Sequence, residues 1–132
     1  MTNAEIVGLV GNSVFNQHDF SVLADHVRED YIQHNPLVPQ GRSGFEAFFR
    51  DAFRAVPDWS YALNNSIAAG DFVWVYGAYS GTHSGEWLGI PASGKAFSFH
   101  AVDIFRLEDG RLAEHWDVMD VYGLFQQLGV IA

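Results

Sequence analysis

The sequence predicts an α+β fold in which N-terminal helices pack on one face of an antiparallel sheet, and three observations predict it. From the N-terminus to Val56, apolar residues recur at helical intervals; from Trp59 onward they alternate with a period of two. Glycine-containing turns then divide the second half into strands of hairpin spacing. Helices first and strands afterwards, rather than the two interleaved, is the order of an α+β domain.

Each element follows from local chemistry. Thr2 and Glu5 have capping-box spacing, and Ile6, Val7, Val10 and Val14 continue at helical intervals, giving a first helix to about Gln17. Asp19 or Ser21 caps a short second helix through Val27. Tyr31-Ile32-Gln33 is a brief extended segment, ended at His34-Asn35-Pro36 because proline prevents regular structure from continuing. Gly41 to Gly44 leads into a third helix carrying Phe45, Phe48, Phe49 and Phe53, which Val56-Pro57-Asp58 stops. Trp59, Tyr61, Leu63 and Ile67 mark a half-buried strand, Gly70-Asp71 a turn, and Phe72 to Tyr79 a second strand. A glycine-rich loop with Trp87, Leu88 and Ile90 at its centre follows. Lys95 to Leu107 and Arg111 to Asp120 are two further strands, and Val121 to Gly129 a closing helix capped by Asp120. Helices on one face of a curved sheet would enclose a pocket.

At 132 residues the chain supports one core, so 1–132 is a single domain. Aromatic residues make up 15%, with 11 Phe, 5 Tyr and 4 Trp, enough to line an apolar cavity as well as fill a core. Lys95 and six arginines face 16 carboxylates for a formal charge of −9, which argues against nucleic acid and acidic membrane surfaces as partners. The absence of cysteine removes disulfides, thiolate catalysis and Cys-ligated zinc. Met1 to Leu9 carries Glu5 where a signal peptide has basic residues, and no apolar run approaches the ~20 residues of a membrane span. The expectation is a soluble cytoplasmic protein.

The chemistry concentrates in the last third. His115 and Asp117 lie two apart in a strand and therefore share one face. Whether Asp103 joins them depends on the turn Leu107-Glu108-Asp109-Gly110-Arg111. A two-residue Asp109-Gly110 loop sets Val102 opposite Asp117 and turns Asp103 away. A type I turn with Gly110 in a bulge sets Asp103 opposite His115 and Ala101 opposite Asp117, and Gly at the third loop position favours this form. Phe99 and Met119 then lie on the same face. There Asp117 is a candidate general base, its pKa raised by desolvation and lowered by His115; a structural ion pair fits the same residues. Gln33, His34 and Asn35 could hydrogen-bond a substrate oxygen or simply form a turn. Tyr31, Trp59 and Trp87 fit either a cavity lining or the core.

His115-x-Asp117 also matches the start of a non-haem iron triad, yet no histidine follows His115, and His34, His83 or His100 would have to substitute. There is no glycine-rich nucleotide loop and no G-x-S-x-G elbow. Neither a metal nor a cofactor is indicated.

The chain resembles the SnoaL-like polyketide cyclases, within the wider nuclear transport factor and ketosteroid isomerase superfamily. Asp30-Tyr31-Ile32-Gln33 matches the family's D-Y-[LI]-N, and Val102 to Leu112 looks like its V-H-L-x-R-x-x-D-G-K-I hairpin. His115-Trp116-Asp117 falls on its H-R-D and Gln127-Leu128-Gly129 on its closing Q-L-G. The resemblance implies a cone of helices around a strongly curved antiparallel sheet with an internal pocket, assembled as a homodimer or larger. It implies ring closure of a small, largely apolar substrate by intramolecular aldol condensation without metal or cofactor. Asp117 falls on the family's catalytic aspartate, which removes a proton alpha to a carbonyl. Asp103 stands where the family has a histidine and Gln33 where it has an asparagine, so two close carboxylates compete and one pKa should rise. His115, or His34 from the opposite wall, would then donate the proton, and Gln33 with His34 would bind the oxyanion. Aldol cyclase or isomerase is the first reading. An epoxide or ester hydrolase in the same pocket, or a non-catalytic module binding an apolar ligand, are the alternatives.

Overall fold

The computed structural model describes every residue, Met1–Ala132. Helix α1 (Asn3–Gly11) starts where the Thr2 hydroxyl accepts from the Glu5 amide at 3.1 Å and the Glu5 carboxylate accepts from the Thr2 amide at 3.0 Å. This reciprocal pairing satisfies donors that a helix start leaves open. A wider π turn over Asn12–Asn16 extends it to the expected end, and Ile6, Val7, Val10 and Val14 are all buried. Helix α2 is only Leu23–His26, because strand β1 already begins at Val27 (Val27–Gln33). Val27 is buried and pairs with Leu112, so sheet pairing overrides the helical expectation there. Asp19 bonds the Ser21 amide in a turn rather than capping α2. Helix α3 (Gly41–Ala55) buries Phe45 and Phe53 and ends before Pro57, as its sequence requires.

The sheet contains β1, β2 (Ser60–Ala69), β3 (Phe72–Thr82), β4 (Ala96–Glu108) and β5 (Arg111–Met119), in the order β1-β5-β4-β3-β2. All pairs are antiparallel except β1 with β5, a departure from the all-antiparallel expectation. Helix α4 (Val121–Gln127) closes the chain, with the Asp120 carboxylate accepting from the Gly123 amide at 2.8 Å. None of these helices is long and apolar enough to cross a membrane.

Alternation decides what faces the helices. On β3, Val73, Val75 and Tyr79 are buried while Trp74 and Tyr76 are exposed. Strand β2 follows the inward face only as far as Leu63. A bulge between Leu63 and Asn65 reverses its parity, so Ile67 pairs with Trp74 and is exposed, against the expected alternation.

Candidate active site

The β4–β5 hairpin sets the site. Asp109 and Gly110 both take positive φ, 51° and 76°, and Glu108 pairs with Arg111. The turn is therefore the two-residue form, not the favoured three-residue bulge, because two successive left-handed residues match the twist of the strands. That turn alone would send Asp103 to the outer face. A second irregularity restores it: Leu107 pairs with Leu112 but Arg106 with Glu114, leaving Ala113 as an extra residue on β5. Leu112 and Ala113 are accordingly both buried. Beyond the bulge Asp103 lies opposite Asp117, Phe105 opposite His115 and Ala101 opposite Met119. The expected common face is found, but its expected pairing is corrected.

Two carboxylates directly across a sheet repel each other, and His115 lies between them. Its Nε2 is 2.8 Å from Asp103 Oδ1 and 3.8 Å from Asp117 Oδ2. Its Nδ1 lies 2.7 Å from Gln33 Oε1, an atom that also accepts the Asn35 amide at 3.0 Å. Because a backbone N–H fixes Oε1 as an acceptor, Nδ1 must carry the ring's proton. The remaining ring nitrogen, Nε2, is directed at Asp103, so both nitrogens of the imidazole are held within the protein. The other oxygen of Asp103 accepts the Tyr79 hydroxyl at 2.7 Å. Burial and the Asp103 charge push that phenol well above its ordinary pKa, which keeps it a donor.

Asp117 differs from Asp103 in being only half committed. Asn35 donates from Nδ2 to its Oδ2 at 2.9 Å, and the Asn35 carbonyl is itself fixed by the Leu37 amide at 2.9 Å. Oδ1 makes no hydrogen bond in the protein. Desolvation raises the pKa of Asp117, ahead of the lowering by Asn35 and His115, and Asp103 raises it further. The result is a carboxylate with one held oxygen, one free oxygen and a raised proton affinity.

This cluster forms one wall of a mostly hydrophobic cavity of about 340 Å³. Tyr31, Gln33, Asn35, Trp59, Trp87, Phe99, Asp103, His115, Asp117 and Met119 all line it. His34 does not. It lies on the outer side, 41% exposed, bonded to Glu114 at 2.7 Å and stacked on Trp116 with ring centroids 4.7 Å apart. Alternation along β1 requires this, since Tyr31 and Gln33 face inward. The expectation that His34 reaches the substrate is thereby corrected.

Three contributors were not singled out from sequence. Tyr79 reaches along the sheet to Asp103 from a β3 position paired with Phe99. Tyr61 lines the cavity from β2, and burial together with Asp103 moves its pKa up to about 12. Gln40 clamps the end of β1, accepting the Gln33 amide at 2.9 Å and donating to the Gln33 carbonyl at 2.6 Å. The β3 tyrosine had a signal in its strand period; Gln40 had none, because its loop gives no register. Asp103, His115 and Asp117 place one ligand atom each within 4.8 Å of one another. Of these, His115 Nε2 and Asp103 Oδ1 are directed at each other rather than at a common centre.

Comparison with known proteins agrees with this architecture. The family model for SnoaL-like polyketide cyclase matches residues 7–128. Nogalonic acid methyl ester cyclase of Streptomyces nogalater is 35% identical over 126 residues, covering 89% of this chain and 90% of that protein. Aklanonic acid methyl ester cyclase DnrD of Streptomyces peucetius is 28% identical over 114 residues, covering 80% and 72%. Among solved structures, TsrD from Streptomyces laurentii superposes with a TM-score of 0.89 at 36% identity, covering 97% of this chain and 95% of that one.

Proposed function

The chain belongs to the SnoaL-like polyketide cyclase family, and from that premise we propose that it is an enzyme closing or isomerising a small carbonyl compound with Asp117 as its general acid–base. The free Oδ1 of Asp117 in an apolar cavity carries this reading. A carboxylate with raised proton affinity, held at one oxygen and open at the other, suits removal of a proton alpha to a carbonyl. In an aldol closure the C–H proton passes to Asp117 and the enolate carbon bonds to a second carbonyl of the same molecule. The alkoxide so formed takes the proton back, so no other reactant is consumed.

Asp103 and His115 act through position. Their polar atoms are spent on each other, on Gln33 and on Tyr79, which holds the neighbours of Asp117 in fixed positions. With Gln33 Oε1 taken by His115 and Asn35, its Nε2 is the amide atom that donates to the developing oxyanion. That role passes to Gln33 without His34. Asp117→Asn should abolish exchange of substrate alpha-hydrogen with deuterated water while far-ultraviolet circular dichroism stays unchanged. Exchange at the native rate in that variant rejects the assignment.

The outer sheet face carries Ile67, Trp74 and Val118 at 68%, 53% and 71% exposure. Such a patch on a chain of this family supports a homodimer or larger assembly through that face. Sedimentation of Trp74→Glu beside the native chain tests it; a native chain that sediments as a monomer refutes it.

A further inference from the structure

Every hydrogen-bonding group of Asn35 is engaged inside the protein. Its amide N–H donates to Gln33 Oε1 at 3.0 Å, its main-chain carbonyl accepts from the Val38 amide at 3.1 Å, and its Oδ1 accepts from the Leu37 amide at 2.9 Å. Because the Leu37 N–H fixes that atom as the oxygen, the side-chain nitrogen is the atom turned toward β5. There Nδ2 donates to Asp117 Oδ2 at 2.9 Å and lies 3.6 Å from Met119 Sδ.

The segment that carries Asn35 is itself held. Just before it the His34 amide donates to the His115 carbonyl at 3.0 Å, and after it the bond from Val38 closes a β-turn with Pro36 at the second position. The proline ring presets φ there, so ordering this turn costs little chain entropy. One residue thus touches two polar groups of the site: its main chain pins the Gln33 oxygen, and its side chain holds one oxygen of Asp117. The titratable groups around Asp117 are His115 on its own strand, Asp103 on β4, Tyr31 on β1 and Tyr79 on β3. Burial raises the pKa of Asp117, and the bond from Asn35 is the largest influence opposing that rise.

We propose that Asn35 is a positioning residue rather than a substrate contact: it holds Oδ2 of Asp117 so that Oδ1 alone meets the reactant, and it keeps that base and the Gln33 amide at a fixed separation. Without Asn35 the carboxylate is free to rotate, and Oδ1 loses its constant bearing on the C–H bond it attacks. A donor that favours the ionised form is lost as well, so the carboxyl binds its proton more tightly. The catalytic consequence rests on the function proposed above, whereas the effect on the Asp117 carboxyl does not.

The test is titration of the Asp117 carboxyl carbon by nuclear magnetic resonance in protein carrying isotopically labelled aspartate, the signal being assigned by its absence in Asp117→Asn. It needs neither ligand nor turnover. In Asn35→Ala the midpoint should move to higher pH, a roughly tenfold rise in proton affinity. Asn35→Asp keeps an oxygen for the Leu37 amide and with it the turn, so it carries the test should the alanine variant unfold. It sets a second carboxyl against Asp117, and the two should titrate in linked steps, the upper one above the native midpoint. A role in the turn alone predicts native titration of Asp117 in Asn35→Asp, and a lowered unfolding midpoint as the sole effect of Asn35→Ala. Proton affinity of Asp117 unchanged within about twofold in the folded variants overturns the proposal. Alpha-hydrogen exchange in Asp117→Asn reads the base assignment separately. Exchange that persists there, while the Asp117 titration still moves in Asn35→Ala, rejects the base and upholds the hold that Asn35 has on it.

Discussion

Replacing Asp103 probes the centre of the site. Its side chain is 8% exposed and that of His115 9%, and Asp103 accepts both His115 Nε2 at 2.8 Å and the Tyr79 hydroxyl at 2.7 Å. Asp103→Leu leaves the Tyr79 hydroxyl buried without its acceptor and His115 Nε2 buried without its partner. Breaking a buried pair by removing one partner costs about 3–5 kcal/mol, and orphaning the tyrosine adds about 1–3 kcal/mol. The expected loss is therefore about 4–8 kcal/mol, against a total of about 5–15 kcal/mol for a domain. Asp103→Asn keeps an acceptor for Tyr79 and offers an amide donor to an unprotonated Nε2. Its cost should be only about 1–2 kcal/mol. Urea unfolding at fixed protein concentration, followed by tryptophan fluorescence, measures both. A cycle with Tyr79→Phe sharpens the test. That change should destabilise the native chain, yet be neutral or favourable in the Asp103→Leu background, where the hydroxyl has already lost its acceptor. Equal costs for Asp103→Leu and Asp103→Asn, or a loss under about 2 kcal/mol for the leucine variant, would refute the hydrogen-bonding scheme.

The raised pKa of Asp117 has a signed consequence. The native chain holds this proton to higher pH than the unfolded chain, whose value is near the ordinary 3.8. Native protein thus binds more protons between 3.8 and the folded value, and the Asp117 contribution falls as pH rises through that window. Unfolding measured across the acid range should show that slope in the native chain and lose it in Asp117→Asn. The rising limb of kcat/KM should likewise lie above 3.8, and an apparent pKa at or below it would contradict a desolvated base. His34→Ala should leave turnover unchanged, because its partners are Glu114 and Trp116 on the outer face; a large loss of kcat would return His34 to the mechanism.

Much of this was legible in the chain. The capping box at Thr2, the proline stops after α3 and β1, and the period-two runs of β3 and β4 are local properties, and local chemistry decides them. The common face of His115 and Asp117 needs only the strand period. The pairing with Asp103 was another matter. Two one-residue shifts, the two-residue turn and the extra Ala113, move the register in steps that no residue pattern announces. Their sum restores the face and changes the partner from His115 to Asp117.

Sequence by itself determined which residues would form helices, which would alternate, and that an acid and an imidazole would share a sheet face. Only the folded chain decided which atoms meet. Gln33 reaches His115, and Asn35 reaches Asp117, across 82 residues of chain, and β1 turns His34 outward in the same stroke that turns Gln33 in. Periodicity acts over neighbouring residues, whereas hydrogen bonds between distant strands depend on a register that bulges and turns set one residue at a time.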